Sequence, residues 1–215
     1  MIEFNAKRKT MKIIEILFGL SYLFTVFIAA MVLYTTAEAG SLRRQYALMS
    51  FILGIGDAFH LTPRIYAMTD RNDHNYTVAL GIGKLIASIT MTLFYIFLWE
   101  IGKSYYTFHA NRYLSMFVYG AALLRILLCI LPQNRWLDES PPLTWGIIRN
   151  TPFFILGMTV MLFYRTQTLK NEGIFSFLWF AIMISFVCYL PVVLFSKKIP
   201  KWECLCFLKA VPMLP

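Results

Sequence analysis

Histidine, cysteine and acid are all scarce in this 215-residue chain, and only 14% of it is charged. Each shortage closes off a class of chemistry. The three histidines, His60, His74 and His109, lie on segments far apart, so the spacing offers no multi-histidine zinc cage and no metal or cofactor is expected. Of the four cysteines, Cys129 and Cys188 sit inside apolar runs, while Cys204 and Cys206 form a lone C-x-C. That pattern signals neither a disulfide framework nor a closed zinc site, and all four read as packing residues. Eleven acids against twenty Lys and Arg leave a net charge of +9. The basic residues are scattered over tails, loops and apolar runs without the stripe or motif of a nucleic-acid binder, so nucleic acid is excluded as a partner. No Gly-x-Ser-x-Gly elbow is present. Gly81-Ile82-Gly83-Lys84 imitates a phosphate loop only in letters, because no strand precedes it and a hydrophobic run follows.

What the chain has instead is apolar length. Hydrophobic residues make up 59%, with a mean hydropathy of +0.62, which describes a protein whose solvent is lipid. At roughly 20 apolar residues per crossing, the pattern predicts an all-α integral membrane bundle of six spans, near 12–35, 46–68, 77–100, 112–132, 142–165 and 174–196. The whole of 1–215 then reads as one transmembrane domain with short loops, which force neighbouring helices to be antiparallel. The basic start, apolar run and Ala37-Glu38-Ala39 resemble a secretory signal, but Ile13 to Tyr34 is too long for one and is expected to stay as a helix. The apolar stretch from Cys204 to Pro215 is too short to cross. It reads as a re-entrant segment or a truncated seventh helix.

Sidedness stays open. The side holding the N-terminal tail and the second, fourth and sixth connections, termed the near side, carries more Lys and Arg, which favours the cytoplasm. The far side nevertheless has Arg43, Arg44, Lys103, Arg112, Arg165 and Lys170, a narrow margin. Trp99, Trp136 and Trp202 suit an aromatic belt at either face.

The informative residues are ionisable groups inside the apolar runs, each costing about 2.5–3.5 kcal/mol on insertion scales. In the second span Asp57, His60 and Arg64 share a helix face at i, i+3 and i+7, beside a kink expected at Pro63. In the third, Lys84, Ser88, Met91 or Thr92, and Tyr95 repeat that spacing. Arg125 interrupts the fourth, and Arg149-Asn150 precedes Pro152, a second expected kink, in the fifth. Antiparallel connectivity puts Arg64, Lys84, Arg125 and Arg149 within about two turns of the near side. Glu15 and Tyr189 fall in the same half. Four cations there face two acids, Asp57 and Glu15, so about two positive charges lack an internal partner. Unpaired buried charge is costly, and an anionic small molecule or lipid headgroup is the partner that would cancel it.

Plainer readings stand beside this one. Arg64, Lys84 and Arg149 are within snorkelling reach of headgroups. Arg125 and Asp57 are deep enough for an internal ion pair that only fixes packing. Lys84 with Ser88 reads equally as helix–helix glue, and Asn150 as a donor or acceptor for backbone freed around Pro152. Asp57 with His60 is the one pair suited to acid–base work, since a carboxylate tunes a neighbouring imidazole into the physiological range.

Gly-Asp-Ala-Phe-His-Leu-Thr-Pro-Arg at 56–64, Ala-Leu-Gly-Ile-Gly-Lys at 79–84, Leu-Pro-Gln-Asn-Arg-Trp at 131–136 and Trp-Gly-Ile-Ile-Arg-Asn at 145–150 resemble a family of uncharacterised bacterial multi-pass membrane proteins. The resemblance covers most of the chain and implies a bacterial plasma membrane without implying an activity. Gly56-Asp57 and the run Gly81 to Tyr95 are faintly similar to lysoplasmalogenases. That likeness implies a two-aspartate site, of which only Asp57 can be carried over, because no second interior aspartate occurs in the later spans.

The expectation is therefore a membrane bundle binding an anion through Arg64, Lys84, Ser88, Arg125, Arg149 and Asn150, with Asp57 and His60 setting charge and hydrogen bonding. A lipid hydrolase using Asp57 and His60 is the first alternative. An anion or proton-coupled transporter is the second, disfavoured by a far half with few polar positions beyond Thr92 and Tyr95.

Overall fold

A computed structural model describes the backbone of residues 2–70, 75–109, 111–170 and 175–195, and the side chains from residue 12 to residue 189 within those stretches. The segment after residue 195, including the Cys204–Pro215 stretch, lies outside the described residues, as does His74. Among the described residues there are six α-helices and no strand: α1 (Ile2–Thr36), α2 (Leu42–Thr69), α3 (Thr77–Tyr105), α4 (Arg112–Ile130), α5 (Leu143–Thr168) and α6 (Leu178–Phe195). A single 3-10 turn, Pro132–Asn134, follows α4.

Four of the helices are long and apolar enough to cross a membrane: the Lys12–Thr36 part of α1, then α3, α4 and α5. This fits an integral membrane protein. The other two differ for separate reasons. α2 has 28 residues, ample length, but Arg43, Arg44, Asp57 and Arg64 break its apolar character. α6 is apolar throughout, and only Leu178–Tyr189 of it has described side chains.

Helix ends are set by local chemistry. Gly40 takes the left-handed region at φ 81°, turning the chain out of α1, and Ser41 then caps α2 by accepting from the Arg44 amide at 3.4 Å. Asn111 caps α4 in the same way through the Tyr113 amide. Pro63 and Pro152 each lie inside a helix that continues past them.

α1 packs on α2, α2 most extensively on α3, and α5 on α3, α4 and α6. The core is aromatic. Phe94, Tyr95, Leu98 and Trp99 of α3 meet Phe153, Leu156, Phe163 and Tyr164 of α5 and Ile182 and Phe186 of α6, all buried. Tyr95 sits edge-on to Phe153 with centroids 5.2 Å apart, and Trp99 edge-on to Phe163 at 4.9 Å, the arrangement ring quadrupoles favour. Leu17, Leu20, Phe24 and Met31 of α1 and Met116, Leu123, Leu127 and Ile130 of α4 point outward, an apolar exterior suited to acyl chains.

Two glycines of α3 determine how closely the elements around the near side approach. A Cβ on Gly83 would collide with the Phe59 carbonyl of α2, and one on Gly81 with the Trp136 carbonyl in the connection after α4. Gly120, by contrast, has open space around its would-be Cβ. Gly81→Ala is therefore expected to lower stability by about 1–3 kcal/mol through overpacking. Gly120→Ala is expected to be neutral or to gain up to about 1 kcal/mol from helix propensity. Thermal unfolding of the two variants in one mild detergent checks the contrast.

Candidate functional site

The near-side charges form two structures rather than one. The first is a seam between α1 and α2. Arg64 Nη2 lies 2.7 Å from Glu15 Oε1, and its Nε donates to the same oxygen at 2.9 Å, so this cation has its own acid in a largely buried pair. Two turns further along α1, the Tyr22 hydroxyl donates to Asp57 Oδ2 at 2.7 Å. Asp57 and His60 are both partly buried on α2. Near the end of α2, Lys12 Nζ donates to the Met68 carbonyl at 3.4 Å. Beyond the end of α2, Tyr76 donates to Asp70 at 2.9 Å, and that bond holds the phenol above its ordinary pKa.

The second structure joins α4, α5, α6 and the connection after α4. Arg125 is 1% exposed. Its Nη1 donates to Asn150 Oδ1 at 2.9 Å and to the Arg149 carbonyl at 3.2 Å, and its guanidinium carbon stands 3.8 Å over the Phe153 ring. Its Nε is buried without an acceptor. Asn150 Oδ1 also accepts from the Tyr189 hydroxyl at 2.6 Å, while Asn150 Nδ2 donates to the Gly146 carbonyl. One amide oxygen thus ties three helices together.

Arg149 completes the cluster from the other side. Its Nη1 donates to Asn134 Oδ1 at 2.9 Å, and its guanidinium stands 4.0 Å over the Trp136 ring. Asn134, fully buried, turns its amide nitrogen to the Leu128, Cys129 and Leu131 carbonyls, and the Trp136 indole donates to the Cys129 carbonyl at 2.8 Å. These side chains supply the donors that the last carbonyls of α4 lack within the helix. Between them Arg135 takes the left-handed region at φ 49°. That conformation costs a residue with a Cβ about 1–2 kcal/mol, and it is held here by anchors on both sides.

Among the expected site residues, the structure brings together Arg125, Arg149 and Asn150. Arg64 faces Glu15 instead. Lys84 is exposed on α3, and the Ser88 hydroxyl donates to the Lys84 carbonyl of its own helix at 2.8 Å. Asn150 does not reach the carbonyl that Pro152 leaves free; its amide bonds one position pair earlier, at Gly146. Tyr189, placed in the same half by its position along α6, belongs to the cluster as well. Asn134, Trp136 and Phe153 belong to it without having been singled out for it. The signal for the first two was the polar Asn and the indole inside a short connection between apolar runs. For Phe153 none was available, because an aromatic in an apolar helix looks the same whether or not a cation sits on it.

Electrostatically the two structures are opposites. Glu15 and Asp57 lie in the seam with Arg64. In the cluster, the hydrogen-bond acceptors of Arg125 and Arg149 among the described residues are all neutral: two side-chain amides and one backbone carbonyl. No group of three or more His, Cys, Asp or Glu able to hold a metal occurs among the described residues. Comparison of the chain with family models, curated proteins and solved structures finds no match.

Two outcomes test these assignments. In a double-mutant cycle, Glu15→Gln and Arg64→Gln are expected to show a coupling of about 1–3 kcal/mol, and the swapped pair Glu15→Arg with Arg64→Glu to recover much of the loss. Additive effects would dissolve the pair. Asn134→Ala strands the end of α4 and one Arg149 donor, and is expected to cost about 1–3 kcal/mol in denaturant unfolding.

Proposed function

We propose that the protein is a six-span integral membrane protein that binds an anionic group, free or on a lipid head, at Arg125 and Arg149. All six helices cross in this reading, α2 using its pairing with α1 and α3 to bring polar residues into the membrane. A bacterial plasma membrane is the setting that the sequence resemblance implies. The observation that carries the reading is the pair of guanidinium groups bonded only to neutral acceptors among the described residues. A cation in a low-dielectric interior is stabilised weakly by neutral carbonyl oxygens and strongly by an anion. Phe153 and Trp136 cover one face of each fork, so the donors act in the plane, which is how arginine grips a carboxylate or phosphate.

Native mass spectrometry of protein extracted in mild detergent tests this. The wild type is expected to retain an anionic lipid or metabolite. Arg125→Met should weaken retention at least about tenfold, the effect of losing a charge-assisted hydrogen bond. Its thermal stability is expected to fall by about 1–3 kcal/mol, since Asn150 and the Arg149 carbonyl lose a donor, so retention is compared at a temperature where both proteins are folded. Clean protein of unchanged mass would overturn the reading. Lipid turnover abolished by Asp57→Asn, or anion uptake into proteoliposomes, would put hydrolysis or transport in its place.

A further inference from the structure

We infer that the anion is a phosphate monoester, a group carrying close to two negative charges, rather than a carboxylate or a phosphodiester carrying one. The inference rests on the binding reading above and concerns which anion the same site selects.

The argument begins with charge. Arg125 and Arg149 stay protonated in any protein setting, and their acceptors among the described residues are the Arg149 carbonyl, Asn150 Oδ1 and Asn134 Oδ1, none of them charged. The acid that balances Arg64 is Glu15, on the other seam. The two side chains belong to one cluster, joined through the Arg149 carbonyl and Asn150, so two positive charges are to be met within it. A carboxylate or a phosphodiester cancels one and leaves a guanidinium uncompensated in a cluster where Arg125 is 1% exposed and Arg149 half-buried. A phosphate monoester carries about −1.5 to −2 at neutral pH and three strong acceptor oxygens.

Geometry agrees with that count. Arg125 uses Nη1 for both of its hydrogen bonds, and its buried Nε has no acceptor. The Nε edge is the side of a guanidinium that engages two oxygens of one phosphate in parallel. Arg149 uses Nη1 on Asn134 and is held flat against Trp136. Both forks are thus oriented by neutral partners that leave their charge uncancelled. Asn150, fixed by Tyr189 and Gly146, keeps Arg125 from collapsing onto a different acceptor.

The ligand has two sources, a lipid such as phosphatidic acid or a water-soluble phosphate monoester, and the shared chemistry is the terminal phosphate. The full-length protein in phosphatidylcholine nanodiscs would be offered phosphatidic acid, phosphatidylmethanol, oleic acid or glycerol 3-phosphate, with retention read by native mass spectrometry. Phosphatidylmethanol keeps the diacylglycerol and the phosphorus but has one charge. Phosphatidic acid is expected to be held at least about tenfold better than phosphatidylmethanol or oleic acid, and Arg149→Gln or Arg125→Met should erase that preference. Binding of glycerol 3-phosphate comparable to phosphatidic acid supports the monoester with a soluble source, and binding of phosphatidic acid alone supports it with a lipid source. Equal retention of phosphatidic acid and phosphatidylmethanol, or a preference for oleic acid, overturns the monoester while leaving anion binding in place. Retention of none of the four overturns both.

Discussion

The hydrogen bond from Arg125 to Asn150 is the contact on which the near-side half of the molecule depends. Asn150 Oδ1 receives the guanidinium of α4 and the Tyr189 hydroxyl of α6 while its own backbone belongs to α5. In a buried interior no water stands ready to replace a lost partner, so a polar side chain is either satisfied by the protein or costs several kcal/mol. An asparagine oxygen with two lone pairs meets two donors from two helices, and the three helices are held at a common level by that requirement. Arg149, the next residue back, extends the same logic to the chain leaving α4: it fixes Asn134, and Asn134 satisfies the end of the helix that bears Arg125. The network satisfies its amides and part of each guanidinium, and leaves the Arg125 Nε without an acceptor.

Packing elsewhere serves this arrangement. Gly81 lets the start of α3 press against the Trp136 carbonyl, so the indole that supports Arg149 is fixed by backbone contact from behind. Gly83 brings α2 and α3 together one residue pair away. Toward the far side the interior is filled by rings, where Tyr164 also meets its polar need within the protein, donating to the Leu98 carbonyl at 2.8 Å. The densest packing lies in the α3–α5 aromatic interior, and the charged cluster adjoins it, with Phe153 belonging to both.

Periodicity made the helices legible because one apolar run of about 20 residues has few other outcomes in lipid. The ionisable residues inside those runs were legible for the same reason, since Arg125 among alanines and leucines must find partners within the protein or beyond it. Their pairing was not. Reading along one chain puts Arg64, Lys84, Arg125 and Arg149 at one height, but height is a single coordinate and partnership depends on azimuth as well. A rotation of α2 toward α1 gives Arg64 to Glu15, and an outward-facing turn leaves Lys84 exposed. Azimuth is set by close approaches such as Gly54 against Val26 and Phe27, which are long-range in sequence and invisible in any local pattern. Asn134 was obscure for a different reason: a polar residue in a short connection ordinarily faces water, and here the 3-10 turn folds it inward as a cap.

The two seams also show why counting charges over a whole half of the bundle is a blunt instrument. Glu15 and Arg64 cancel locally, with both charges shielded together, and such a pair contributes little field beyond its own neighbourhood. Arg125 and Arg149 have no such dipole to hide in. Their neutral acceptors lower the cost of burial without cancelling either charge. Removing one arginine would ease the repulsion between them but strand Asn150 or Asn134, the side chains they now serve.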